Sequence, residues 1–73
     1  MRAKEWIAAY SEQLGVEPPT ADELKVILEL AAAAAHASER IAAPVACWLS
    51  AKSGRPLEES LTLARGTSRK PEA

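Results

Sequence analysis

The sequence predicts an all-α fold, a compact four-helix bundle-like domain with a long central second helix. Apolar residues recur at helical spacing along most of the 73-residue chain, and glycine or proline residues divide this pattern into four segments. No segment shows the alternating apolar pattern of a strand. The predicted helices are residues 3–14, 20–38, 43–53 and 56–65, which form one domain at residues 1–66 before a disordered tail at residues 67–73.

The first predicted helix has one apolar side and a clear stop. Ala3, Ile7, Tyr10 and Leu14 follow helical spacing, so they fall on one face. Gly15 then supplies the residue type that most often closes a helix in the left-handed conformation. The segment therefore predicts a short amphipathic helix.

The second predicted helix has the best-marked start in the chain. Thr20 and Glu23 have the spacing of a capping box, in which two side chains satisfy free backbone N–H groups. Beyond them, apolar residues cover most of the helix surface, and a run of alanines at residues 31–35 favours close approach of neighbouring helices. The pattern predicts a central helix with neighbours on two sides.

The last two predicted helices each begin at a proline. Pro44 is the expected first residue of the third helix, where its missing N–H has no cost. Val45, Trp48 and Leu49 then form the expected buried face of that helix. Pro56 opens the fourth helix in the same way. Leu57, Leu61 and Ala64 form its expected buried stripe, and Arg65–Gly66 its expected end.

Charge and cysteine content limit the classes of partner and the cellular compartment that are expected for this chain. A net charge of −1 lacks the basic excess of proteins that bind nucleic acid through its phosphates, so no nucleic acid partner is expected. The single cysteine forms no intramolecular disulfide, which favours a reducing compartment, and we expect the cytoplasm. No apolar run reaches the roughly 20 residues that span a bilayer, so no membrane association is expected.

The side chains best suited to catalysis or ligand binding lie between the second and third helices. His36, Glu39 and Arg40 share one helical surface if the second helix continues to residue 40. Such a cluster serves either as a site for an anionic ligand or as a cap and ion-pair cluster at the negative helix end. Both interpretations stay open at this point.

No sequence feature identifies a stand-alone enzyme. Cys47, between Ala46 and Trp48, has the setting of a small buried hydrophobe more than that of a nucleophile. With one Cys and one His the chain lacks a recognisable set of metal ligands. Phosphate-binding loops and hydrolase motifs are also absent, so we expect no catalytic residue, metal or cofactor.

Three stretches resemble a known family: residues 5–7, residues 14–16 and, above all, AHASERIAAPVACWLSAKSG at residues 35–54. They are similar to small actinobacterial domains of unknown function, which occur alone or fused to the C-terminus of molybdenum cofactor guanylyltransferases. The resemblance spans about residues 3–65. Its central motif is His36, Glu39, Arg40, Ala42, Ala43 and Pro44. The resemblance implies that nucleotide transfer belongs to a separate domain, and it carries no catalytic residue to this chain.

Three functions are consistent with these observations. The first is a non-catalytic accessory or protein-interaction domain, with His36, Glu39, Arg40 and Pro44 as contact candidates. Its partner would be a molybdenum cofactor guanylyltransferase or a molybdoenzyme maturation protein, as the resemblance implies. The second is a domain that binds a nucleotide or pterin phosphate through His36 and Arg40. The third is a homodimer formed through helices.

Overall fold

The computed structural model describes residues 1–67, which form four α-helices and no strand. The helices are α1 (Ala3–Leu14), α2 (Ala21–Ala37), α3 (Ala42–Ser53) and α4 (Leu57–Thr67). The predicted all-α class is confirmed, and each helix end lies within two residues of its predicted position. None of the helices in residues 1–67 has the length and apolar character needed to cross a bilayer.

Helix ends follow the signals in the sequence. The backbone N–H of Glu23 donates to Thr20 Oγ1 at 3.1 Å, and the N–H of Thr20 donates to Glu23 Oε1 at 2.8 Å, so the predicted capping box is confirmed. Gly15 and Gly54 close α1 and α3 with φ angles of +76° and +75°. A residue with a Cβ is strained at these angles, which explains why glycine occupies both positions.

Helix α2 is the centre of the fold, as predicted. It is 17 residues long, about 25 Å, and packs against both α3 and α4. Leu30, in the middle of α2, is 1% exposed, and Leu61 of α4 is 7% exposed. These two leucines are the buried apolar core of residues 1–67, so most other large apolar side chains keep part of their surface in solvent.

Helix α3 faces α2 with its small side chains, which reverses the predicted orientation. Its half-buried residues are Ala42, Ala43, Ala46, Cys47 and Ser50. The predicted buried face of Val45, Trp48 and Leu49 is instead 54%, 59% and 54% exposed. The prediction was wrong because the small side chains of α3 meet the alanine run of α2, and two such surfaces approach more closely than surfaces of larger residues.

Helix α4 runs further than its sequence indicates. Gly66 does not adopt the left-handed conformation that ends a helix, and α4 continues through it to Thr67. The hydroxyl of Thr67 donates to the backbone carbonyl of Leu63 at 3.0 Å. The rest of the predicted disordered tail, residues 68–73, lies outside the described residues.

Helix α1 lies outside the close packing of α2 with α3 and α4. Only a narrow strip of it is covered: Ser11 is buried, with its hydroxyl donating to the Ile7 carbonyl at 2.7 Å, and Ile7 is half-buried. The molecule measures 43 × 24 × 19 Å. The body of the domain is therefore the three-helix unit α2–α4, with α1 as its least covered helix.

Candidate functional site

The corner between α2 and α3 holds the four residues predicted from the sequence as contact candidates. Helix α2 ends at Ala37, so His36 lies in its last turn while Glu39 and Arg40 lie in the connecting turn. The backbone carbonyls of Glu39 and Arg40 accept hydrogen bonds from the N–H groups of the first two residues of α3, at 3.0 and 3.1 Å. The shared helical surface that the prediction required, with α2 continuing to residue 40, is not formed.

The side chains of His36, Glu39 and Arg40 are exposed and form no hydrogen bond or ion pair with the described residues. The helix end that they were expected to cap is capped by Ser38, whose N–H and hydroxyl both donate to the carbonyl of Ala34 at 3.2 Å. The ion pairs of the predicted cap and ion-pair cluster are therefore not formed among residues 1–67, whereas His36 does lie in the last turn of α2, near its negative end. The corner leaves the side chains of His36, Glu39 and Arg40 in solvent.

An open groove lies beside this corner, between the C-terminal half of α2, α3 and α4. Its volume is about 570 Å³, and His36, Glu39 and Arg40 are not among its lining residues. Leu30 is part of its floor, and Val45, Leu49 and Leu63 are its large lining side chains. Most of the remaining lining is alanine and serine, so the groove is apolar and lacks converging charged groups.

Large apolar side chains continue from the groove across the outer side of α3. We call this surface the apolar face; it consists of Ile41, Val45, Trp48, Leu49 and Leu63. Their exposed fractions run from 50% for Leu63 to 73% for Ile41. Residues 41, 45, 48 and 49 have the i, i+4, i+7, i+8 spacing of one helix side. The sequence pattern had found the three central members and assigned them to the core, whereas Ile41 and Leu63 were missed.

Pro44 and Arg40 are the predicted contact residues adjacent in sequence to this face, Pro44 before Val45 and Arg40 before Ile41. Pro44 lies in the first turn of α3, two residues after the helix begins, and is exposed. A proline is tolerated there because the N–H groups of the first turn have no helical partner. Pro44 is one turn from Trp48, so two of the four predicted candidates, Arg40 and Pro44, adjoin the apolar face.

Positive charge borders the apolar face. Helix α3 contains no acidic residue, and its one basic residue, Lys52, places Nζ 4.7 Å from the centroid of the Trp48 ring. Arg55 pairs with Glu59 at 2.6 Å, an exposed ion pair that contributes at most about 1 kcal/mol. Arg40 lies at the other end of the face without an ion pair. A cation without an ion pair among residues 1–67 therefore lies near each end of α3.

A second exposed apolar surface lies on α1. Trp6, Tyr10 and Leu14, the α1 stripe, follow i, i+4, i+8 spacing and are 55%, 49% and 58% exposed. The rings of Trp6 and Tyr10 lie with centroids 4.9 Å apart at an angle of 31°. Aromatic pairs of this kind supply large apolar area in a defined geometry.

A comparison with known protein families identifies the family of this chain. The family described as "Domain of unknown function (DUF6457)" matches residues 1–69 of the chain. The chain belongs to the DUF6457 family. No curated protein and no solved structure matches it.

Nucleophilic chemistry has little support in this DUF6457 domain. Cys47 lies on the half-buried side of α3, and burial raises the pKa of its thiol above the ordinary value. The thiol, which is the unreactive form, therefore dominates at neutral pH. Within residues 1–67, His, Cys, Asp and Glu side chains form no group of three that could hold a metal ion.

Proposed function

We propose that this DUF6457 domain is a non-catalytic protein-interaction module that binds its partner through the apolar face. The observation that carries the proposal is the distribution of side chains on α3. This helix buries alanine, cysteine and serine while Val45, Trp48 and Leu49 remain more than half exposed. A large apolar surface that the fold leaves in water is typical of an interaction site.

The size of the apolar face supports the proposal. From the exposed fractions, its five side chains present on the order of 500 Å² of apolar surface, within the range of the largest patches on monomers, which are often functional. The groove beside it offers an apolar floor at Leu30 and walls from two helices. Such a groove suits an amphipathic helix, whose apolar side chains recur at the same spacing.

The catalytic alternative has weaker support. Cys47 carries a raised pKa on the covered side of α3, and His36 has no carboxylate partner among the described residues that would orient its ring. Binding of an anion at His36 and Arg40 is also less favoured. Helix α2 ends at Ala37, so the two side chains do not share one helical surface. The groove also lacks the set of charged groups that a catalytic site needs. Arg55 is the one charged residue among the described residues that line it.

The resemblance of residues 35–54 to domains fused to guanylyltransferases suggests the partner. We propose a molybdenum cofactor guanylyltransferase or a molybdoenzyme maturation protein, in the cytoplasm. Neither nucleic acid nor a membrane is part of this proposal. The apolar face would supply the contact area, and Pro44 and Arg40 its edge.

Binding of the purified domain to a purified guanylyltransferase, measured by calorimetry, tests the proposal. Leu49→Glu puts a charge in the centre of the face and should weaken binding at least about tenfold, as loss of a central contact does. Leu28→Glu is the matched control, because Leu28 is a 59% exposed leucine of α2 that does not line the groove. Equal affinities for the two variants would refute the face as the binding site. Absence of binding by the unmodified chain would remove the named partner.

A further inference from the structure

We propose that the apolar face receives α1 from a second copy of the chain, so that two copies exchange their first helices and form a closed dimer. This inference shares with the proposed function only the premise that the apolar face binds a protein, and a second copy would compete with a guanylyltransferase for that face. The α1 stripe of each copy would pack against the apolar face of the other copy and into the groove beside it. The contact is reciprocal and gives a two-fold dimer.

The distribution of exposed apolar side chains supports exchange. Eleven large apolar residues are exposed in the described chain, and eight of them belong to the α1 stripe or the apolar face. One contact between these two surfaces, made twice, covers all eight. Binding through the apolar face alone would leave the Trp6–Tyr10 pair in water.

The area agrees with a stable dimer. The exposed fractions of the eight side chains correspond to roughly 800 Å² for each copy, and roughly 1,600 Å² in total, the usual size of a specific protein interface. The apolar face paired with itself would bury roughly 1,000 Å², and the α1 stripe paired with itself roughly 600 Å². The exchange therefore reaches the standard size, whereas self-association through the apolar face alone reaches only the lower limit for such an interface.

Helix dimensions also match. Helices α1 and α3 are each 12 residues long, about 18 Å, so one can lie along the other for its whole length. The α1 stripe offers anchors at i, i+4 and i+8, the spacing with which amphipathic helices fill apolar grooves. The remaining C-terminal segment, residues 68–73, is Ser-Arg-Lys-Pro-Glu-Ala and offers no large apolar side chain for this purpose.

Charge favours α1 over a second α3 as the occupant. Helix α1 carries two carboxylates, Glu5 and Glu12, and one cation, Lys4, whereas α3 has only Lys52 and lies next to Arg40. The exchange therefore pairs a helix of net negative charge with one of net positive charge. Pairing of α3 with α3 would instead bring basic groups of the two copies together, which disfavours that arrangement.

Sedimentation of the full chain tests the inference. Between micromolar and millimolar concentration, the mass should approach twice 7.8 kDa. Tyr10→Glu and Leu49→Glu should each weaken the dimer at least about tenfold, while Leu28→Glu should leave it unchanged. A monomer at millimolar concentration, or assemblies that keep growing with concentration, would overturn the closed exchange.

Mixing the two weakened variants gives a sharper test. A mixed dimer of Tyr10→Glu and Leu49→Glu places both changes in one of its two contacts and leaves the other contact unaltered. A contact that one glutamate has already broken loses little more from a second, so the mixed dimer keeps one whole contact where each separate variant keeps none, and the mixture should associate more strongly than either variant alone. Association no stronger than that of the separate variants would show that α1 does not occupy the groove.

The two proposals fail separately. A monomeric chain whose binding to guanylyltransferase is lost in Leu49→Glu but kept in Leu28→Glu would refute the exchange and support the proposed function. A dimer with the mixing behaviour described above, but without affinity for guanylyltransferase, would support the exchange and remove that partner.

Discussion

Truncation of Leu30 to alanine tests the packing of the three-helix body. Leu30 of α2 is 1% exposed and lies at the floor of the groove shared with α3 and α4, so the change removes its buried side-chain atoms beyond Cβ. Substitutions of this type cost about 2–5 kcal/mol, and we expect about 3 kcal/mol here because Leu30 also borders the groove, into which the vacated space can open. A domain of this size has a total stability of only about 4–11 kcal/mol.

Urea and thermal unfolding followed by circular dichroism measure this loss. A cost of about 3 kcal/mol should lower Tm by roughly 12–24 °C in a domain of this length. Leu28→Ala is the control, since Leu28 lies on the same helix but is 59% exposed, and we expect a change within about 0.5 kcal/mol. All variants are compared at one protein concentration, because dimer formation couples stability to concentration. Equal losses for the two variants would show that α2 does not pack as described.

Three further changes test the helix ends and the cysteine. Thr20→Ala removes the oxygen that accepts the Glu23 N–H and should cost about 1 kcal/mol in urea unfolding, whereas Thr20→Ser should recover most of it. Gly15→Ala meets no atom within 4 Å of the new Cβ, so its cost of about 1–2 kcal/mol should come from the φ of +76° alone; a neutral result would contradict that backbone conformation. Because burial raises the pKa of Cys47, the folded domain keeps a proton that the unfolded chain loses. The free energy of unfolding should therefore be unaffected by this group well below pH 9.0 and fall as pH rises above it, and Cys47→Ala should remove that part of the decline.

Local signals in the sequence were sufficient for most of the fold. Thr20, Glu23 and Gly15 act on their own neighbours, so their effects do not depend on how the helices pack. Gly66 was the exception. Its position near the end of a helix indicated a stop, but a glycine ends a helix only where the next residues leave the helical path, and α4 continues to Thr67.

The orientation of α3 could not be predicted from its own residues. Val45, Trp48 and Leu49 have the spacing of a buried face, and an interaction surface produces the same spacing. The orientation of α3 is set by α2, because the alanines of α2 approach Ala43 and Ala46 more closely than they could approach larger side chains. The apolar face was thus visible in the sequence as a pattern but not as an exposed surface.

The predicted cluster at His36 required α2 to be three residues longer than it is. The prediction that His36, Glu39 and Arg40 share a surface required α2 to reach residue 40. Ser38 leaves the helical conformation earlier, with φ −139° and ψ −91°, and its hydroxyl donates to the carbonyl of Ala34. Serine competes with the helix in this way because its side chain and backbone both reach nearby carbonyls. Such competition is decided by small energy differences that composition and spacing do not reveal.

The division of α3 into a small inner side and a large outer side separates two kinds of evolutionary constraint. Enlarging Ala43 or Ala46 would force α2 and α3 apart, so these positions have little freedom. The outer positions, such as Val45 and Trp48, touch the fold less and can change with little loss of stability. A lineage carrying this domain can therefore acquire new binding preferences by substitution on one side of a single helix while the inherited fold persists.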